Sequence, residues 1–216
     1  MTALGDFILS VKEWVDDADP SDVLVTQWVR LGETRMNNEL RTDVQVVRQY
    51  ATFDDNCAVL PDDWLKTVYV RPQGGRPLNF VSNDTYWKMT PQTPPYMEAS
   101  PSSDPPYPYG KMGYYTHVGR TVFIWPPINP NDLTKIEVAY YAMVPPLAQD
   151  ATPVFVRYPD IYLNCTLAAA QPYLVEDDRL NTFAALATAG IKMANDASML
   201  GRFSGSPMLP AIRGFG

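Results

Sequence analysis

His117 is the sole histidine of this 216-residue chain, and its adjacent carboxylates fall at Asp16-Asp17, Asp54-Asp55, Asp62-Asp63 and Asp177-Asp178. A base beside a pair of carboxylates is what a hydrolase needs, one group to move a proton and another to steady charge. The spacing argues otherwise. Adjacent residues on a strand point to opposite faces, and acids at a helix start complement the macrodipole. Each pair therefore reads as a turn or a cap, and His117 reads as a structural or exposed strand residue. One histidine cannot build a His-centred metal site, and Cys57 and Cys165 flank no metal-ligand spacing. Gln73-Gly74-Gly75-Arg76 lacks the strand-to-helix setting and the lysine of a phosphate loop, and no CxxC, HExxH or GxSxG occurs. The expectation is no catalytic, metal or cofactor residue and no enzyme, which moves the weight to binding or assembly.

Charge supports that direction. A net charge of −7 opposes a broad nucleic-acid-binding face. The charges are also unevenly placed: up to residue 22, Asp6, Glu13, Asp16, Asp17, Asp19 and Asp22 face only Lys12, and beyond Asp196 only Arg202 and Arg213 are charged. Two distant cysteines suit free, buried thiols in a reducing compartment. Asp6 and Glu13 interrupt any secretion signal, and no apolar run reaches the ~18 residues of a membrane span. The expectation is a soluble protein made in the cytoplasm with no membrane partner.

The elements that would position these residues follow from periodicity. Leu4, Phe7, Ile8, Val11, Trp14 and Val15 form one helical stripe. Asp19-Pro20-Ser21-Asp22 ends that helix, and Ser21 or Asp22 caps a second one running to about Arg41, with Val25, Trp28, Val29, Met36 and Leu40 inward. Gly32 there marks a close helix contact. From Thr42 the period changes to that of strands: Leu65–Arg71, Leu78–Val81, the hairpin Tyr114–Val118 and Thr121–Trp125 around Gly119-Arg120, and Thr134–Ala142 with Ile136, Val138 and Tyr140 on one face. Prolines crowd 91–108, so this stretch cannot be a central strand. Helix returns near Tyr158. Ile161, Cys165, Ala168, Ala169 and Pro172 share a face, and Tyr162, Thr166 and Tyr173 share the next, so both sides can pack. Pro172 bends or ends this helix, and Asp177 or Asp178 caps a last one with the stripe Leu180, Phe183, Leu186, Ala187, Gly190, Ile191 and Ala194, stopping after Leu200. The fold expected is α+β: a four-helix bundle from 1–42 plus 156–200, an inserted small antiparallel β module at 43–155 with a Pro/Tyr-rich loop at 91–110, and an extended C-terminal tail at 201–216.

Six segments in this order carry a resemblance. They are Met36-Asn37-Asn38-Glu39-Leu40-Arg41-Thr42, Leu60-Pro61-Asp62-Asp63-Trp64-Leu65, and Gly119-Arg120-Thr121-Val122-Phe123-Ile124-Trp125-Pro126-Pro127. Then come Ile136-Glu137-Val138-Ala139-Tyr140-Tyr141 with Val144-Pro145-Pro146-Leu147, Tyr158-Pro159-Asp160-Ile161-Tyr162-Leu163, and Glu176-Asp177-Asp178-Arg179. Together they resemble the adaptor, or head-completion (head-to-tail connector), proteins of tailed bacteriophages, over roughly Leu4 to Phe203. The resemblance implies a virion protein of the head–tail junction that assembles as a ring of twelve copies beneath the portal. Such a ring extends the DNA channel, lets double-stranded DNA pass without reading its sequence, and presents a docking surface to tail or neck proteins. It also implies that the C-terminal tail inserts at the portal, with Arg202, Phe203, Leu209, Ile212, Arg213 and Phe215 as anchors. The β module and its loop, with Tyr96, Tyr107 and Tyr109, become the candidate contact to tail or neighbouring subunits, since aromatics bury large area with few rotors to freeze.

Two other classes stand beside this reading: a monomeric carbohydrate- or peptide-binding β module on a helical stalk, and a hydrolase using an aspartate pair with His117.

Overall fold

The computed structural model describes residues 2–15, 19–54, 57–72, 75–89, 113–125, 135–173 and 180–203. Two compact units emerge: Met1–Gln45 with Val144–Gly216, and Val46–Met143. The class is α+β, with six α-helices and seven strands among the described residues.

The first unit is helical. α1 (Ala3–Val15) and α2 (Asp22–Glu39) come from the N-terminal segment; the one-turn α4 (Pro153–Arg157), α5 (Pro159–Ala170) and α6 (Leu180–Phe203) come from the C-terminal one. Ser21 starts α2, its hydroxyl accepting the Leu24 N–H at 3.3 Å. α5 is the middle element, packed against α2 on one side and α6 on the other. Both of its faces are accordingly buried, through Ile161, Tyr162, Cys165, Thr166, Leu167 and Ala170. Glycine sets both spacings. A Cβ on Gly32 of α2 would stand 3.1 Å from the backbone nitrogen of Thr166, and one on Gly190 of α6 3.2 Å from Cγ1 of Ile161. Phe7, Phe155 and Tyr162 meet edge to face, at ring separations of 5.2 to 6.1 Å.

Some expectations need correction here. Trp14 and Leu186, read as stripe residues, are about half exposed, and Trp14 instead meets the ring of Phe183 edge-on. Both lie at the margin of their stripe, where a helix face runs out of neighbours. α6 continues to Phe203 rather than stopping after Leu200, since a lone Gly201 near a helix end costs only about 1 kcal/mol. α4 was not anticipated, although Thr152 before Pro153 is a cap-and-proline start, with the Thr152 hydroxyl accepting the Phe155 N–H at 3.1 Å.

Segment 144–149 ties the helices together. Pro145 and Pro146 have no N–H, and the residues flanking them spend theirs on α2: Val144 donates to Asn37 Oδ1 at 2.7 Å and Leu147 to Glu33 Oε1 at 2.6 Å. Asn37 and Glu33 are one helical turn apart and so share a face. The carbonyls of Ala148 and Gln149 then accept the Leu4 and Ala3 N–H groups, which open α1 and have no acceptor within the helix. At the far end of α2, Asn195 of α6 accepts the Arg41 N–H at 2.7 Å and donates to the Glu39 carbonyl at 2.9 Å.

The second unit is a sheet of order β3-β7-β1-β2-β6-β5-β4, built from β1 (Val46–Asp54), β2 (Cys57–Val59), β3 (Trp64–Pro72), β4 (Asn79–Phe80), β5 (Tyr114–Val118), β6 (Thr121–Trp125) and β7 (Lys135–Ala142). Long β1 links the two halves of this sheet, pairing with β7 along Val46–Thr52 and with β2 at Phe53–Asp54. All pairs are antiparallel except β4 with β5, which is parallel and departs from the expected all-antiparallel module. The anticipated hairpin forms around Gly119, whose φ of +57° suits a residue without Cβ. Ile136, Val138 and Tyr140 face the β core as their alternation predicts, beside Leu60, Val70, Val122 and Ile124. A short helix, α3 (Asn83–Met89), went unread; Ser82 opens it, accepting the Thr85 N–H at 3.3 Å.

Candidate functional site

The face of β3-β7-β1 opposite the β core carries the densest polar chemistry. Strand parity puts Lys135, Glu137, Ala139 and Tyr141 of β7 on it. Register adds Arg48, Tyr50 and Thr52 from β1, paired with Ala139, Glu137 and Lys135, and Lys66, Tyr69 and Arg71 from β3, paired with Tyr141, Ala139 and Glu137. The bulges at Trp64/Lys66 and Thr67/Tyr69 shift β3 so that Lys66, Tyr69 and Arg71 share that face.

Glu137 is its centre. Its side chain is buried, covered by longer side chains from the flanking strands. Arg71 donates Nε and Nη2 to Glu137 Oε2 at 2.9 and 2.6 Å, and the Tyr69 hydroxyl donates to Oε1 at 2.7 Å. These donors hold the Glu137 carboxyl below the usual carboxylate range, the Arg71 contact first and the Tyr69 hydroxyl next. The same carboxylate raises the Tyr69 phenol and the Arg71 guanidinium. Around this satisfied centre Arg48, Tyr50, Lys66 and Lys135 are exposed. The arrangement is a cationic, tyrosine-bearing platform held by a part-buried ion pair whose carboxylate is the buried partner. Among the described residues its hydrogen bonds and ion pair are spent on holding Glu137, and the exposed cations and Tyr50 around it offer groups suited to recognition.

The other sequence candidates resolve differently. His117 lies half-buried on β5 between the rings of Trp64 and Phe80, with centroids at 5.2 and 5.7 Å. Asp62 and Asp63 form the turn into β3: Asp62 pairs with Arg120 at 2.5 Å, and Asp63 Oδ1 accepts the Tyr140 hydroxyl at 2.9 Å. Neither aspartate is in a hydrogen bond or ion pair with His117. Asp16, Asp17, Asp55, Asp177 and Asp178 lie outside the described residues. Cys165 is buried and Cys57 only partly so. Among the described residues no group of three or more His, Cys, Asp or Glu could hold a metal ion, and no helix is long and apolar enough to cross a membrane.

Of the expected contact residues, Leu209, Ile212, Arg213, Phe215, Tyr96, Tyr107 and Tyr109 lie outside the described residues. Arg202 and Phe203 close α6, and their side chains lie outside the description. The β3-β7-β1 platform was missed in the sequence. Alternation revealed which β7 residues face inward, but pairing register is needed to see that cations from three strands converge.

The family model described as SU10 adaptor protein matches residues 2–209, spanning both units. No curated protein matches the chain.

Proposed function

The chain belongs to the SU10 adaptor protein family, and on that premise we propose that it is the ring-forming adaptor between portal and tail in a tailed phage. Membership of a phage adaptor family makes it a structural protein of the virion's head–tail junction. The finer reading is that about twelve copies assemble beneath the portal, extend the DNA channel and offer a surface to tail or neck proteins, without catalysis. Double-stranded DNA would pass without sequence-specific contact, which suits a net charge of −7. In this reading the terminal helices form a four-helix bundle. Residues 201–216 reach the portal through Arg202, Phe203, Leu209, Ile212, Arg213 and Phe215, while the loop bearing Tyr96, Tyr107 and Tyr109 meets the tail or a neighbour.

The match over residues 2–209 is the observation that carries the proposal. Leu209 is the last tail anchor it covers; Ile212, Arg213 and Phe215 lie beyond it and rest on the resemblance, which an apolar tail without acids suits. Deleting 201–216 tests the assignment. The truncated chain should keep its helical circular dichroism and lose co-sedimentation with the portal. Undiminished attachment would remove the tail from the proposal, and failure of the full chain to bind any portal assembly would remove the adaptor role.

A further inference from the structure

The cations of the β3-β7-β1 platform outnumber its acids. Arg71 is matched by Glu137, whereas Arg48, Lys66 and Lys135 are exposed and make no ion pair within 4 Å among the described residues. Tyr50 stands among them, 59% exposed. A platform of arginine, lysine and tyrosine on a chain of net charge −7 calls for a partner that supplies carboxylates and apolar contact together.

This chain carries such a surface on its other unit. Asp6, Leu9 and Glu13 lie at i, i+3 and i+7 on the exposed side of α1, and Leu9 is 50% exposed. Lys12 is occupied by Asp19 and Asp22, at 3.8 and 2.7 Å, and leaves Asp6 and Glu13 without an ion pair among the described residues. The spacings agree. Seven residues of helix separate Asp6 from Glu13 by about 10.5 Å along the axis. Arg48 and Lys66 lie two strands and two residues apart, about 12 Å at sheet spacings.

We infer that the exposed face of α1 in one copy, through Asp6, Leu9 and Glu13, docks on the Arg48, Tyr50 and Lys66 platform of the next copy. The inference rests on the ring reading above and specifies which surfaces meet. Two different surfaces in contact make a heterologous interface, the kind that closes into a ring. Nucleic acid would meet the same cations, but the Glu137 carboxylate at the centre of the face and the net charge of the chain favour the protein partner.

The test uses the full chain, with assembly followed by light scattering across salt concentrations, alone and on the portal. Wild-type protein should assemble, less so as salt rises. Arg48→Glu with Lys66→Glu, and separately Asp6→Lys with Glu13→Lys, should each lower the association constant at least about tenfold. The four substitutions in one chain should restore it. Carbodiimide should cross-link Lys66 of one isotopically marked copy to Asp6 or Glu13 of an unmarked one. If either two-site variant is folded and assembles as wild type does, or the four-site chain is not rescued, the interface is wrong while the ring stands. If wild type remains monomeric even with the portal, the ring falls and this interface with it. Duplex DNA bound by wild type and lost in Arg48→Glu with Lys66→Glu would assign the platform to nucleic acid and overturn the inference.

Discussion

Glu33 and Leu147 are 114 residues apart, yet the buried Glu33 carboxylate accepts the Leu147 backbone N–H at 2.6 Å. The other carboxylate oxygen accepts from Arg30 Nη1 at 2.9 Å, so both oxygens of a residue 4% exposed are satisfied. One residue on α2 thereby fixes where the chain re-enters the helical unit from β7.

Removing that acceptor should be costly. Glu33→Ala leaves the Leu147 N–H buried and unpaired, an expected loss of about 1–3 kcal/mol. Glu33→Gln, which retains an acceptor oxygen, should lose less. Urea unfolding followed by helical circular dichroism ranks the two, and an alanine variant as stable as wild type would discredit the tie.

The two packed glycines should respond differently to alanine. At Gly32 the added methyl meets backbone of α5, at 3.1 Å from the Thr166 nitrogen and 3.2 Å from the Cys165 carbonyl carbon, neither of which can rotate away. Overpacking of about 1–3 kcal/mol then outweighs the ~1 kcal/mol gained in helix propensity. At Gly190 the obstacle is the Ile161 side chain, which can shift by a few tenths of an ångström, so the terms should nearly cancel. Thermal midpoints of Gly32→Ala well below, and Gly190→Ala close to, that of wild type are expected. Equal midpoints for the two variants would refute the distinction.

Acid should act on the platform through Glu137. Its native carboxyl is held below the ordinary value by Arg71 and then Tyr69, so it contributes stability above the unfolded carboxylate range of about pH 4–5. That contribution is lost as pH falls through the lowered native value. The urea midpoint of wild type should exceed that of Glu137→Gln at neutral pH, and the gap should close on acidification. A gap unchanged at the lowest accessible pH would show that the ion pair is not its source.

Thiol chemistry should separate the cysteines. Burial pushes the Cys165 thiol up to about 11, while Cys57 is partly exposed on β2. The thiolate is the nucleophile, so iodoacetamide near pH 8 should label Cys57 and spare Cys165 until the helical unit unfolds. Peptide mass spectrometry reads the outcome; equal labelling of the folded protein would contradict the packing of α5.

Much of the scaffold can be read from residue order, because local periodicity and capping are properties of neighbours along the chain. The stripe Phe7, Ile8, Val11 and Val15, the Ser21 cap, the Gly119 hairpin and the inward alternation of Ile136, Val138 and Tyr140 all follow from spacings of a few residues. Gly32 was legible as a close contact because it interrupts an apolar face of an otherwise regular helix, whereas Gly190 in its stripe could equally be a weak point until Ile161 is placed against it. The short elements α3 and α4 escaped because one or two turns produce no periodicity, only a cap. Long-range pairing was beyond the same reasoning. A glutamate at position 33 looks like any helix-surface acid until Leu147 is placed over it. Glu137 looks like an outward strand residue until the bulges in β3 bring Tyr69 and Arg71 to its two oxygens. Polar partners separated by dozens of residues are chosen by register and packing, which depend on where every strand and helix has already settled.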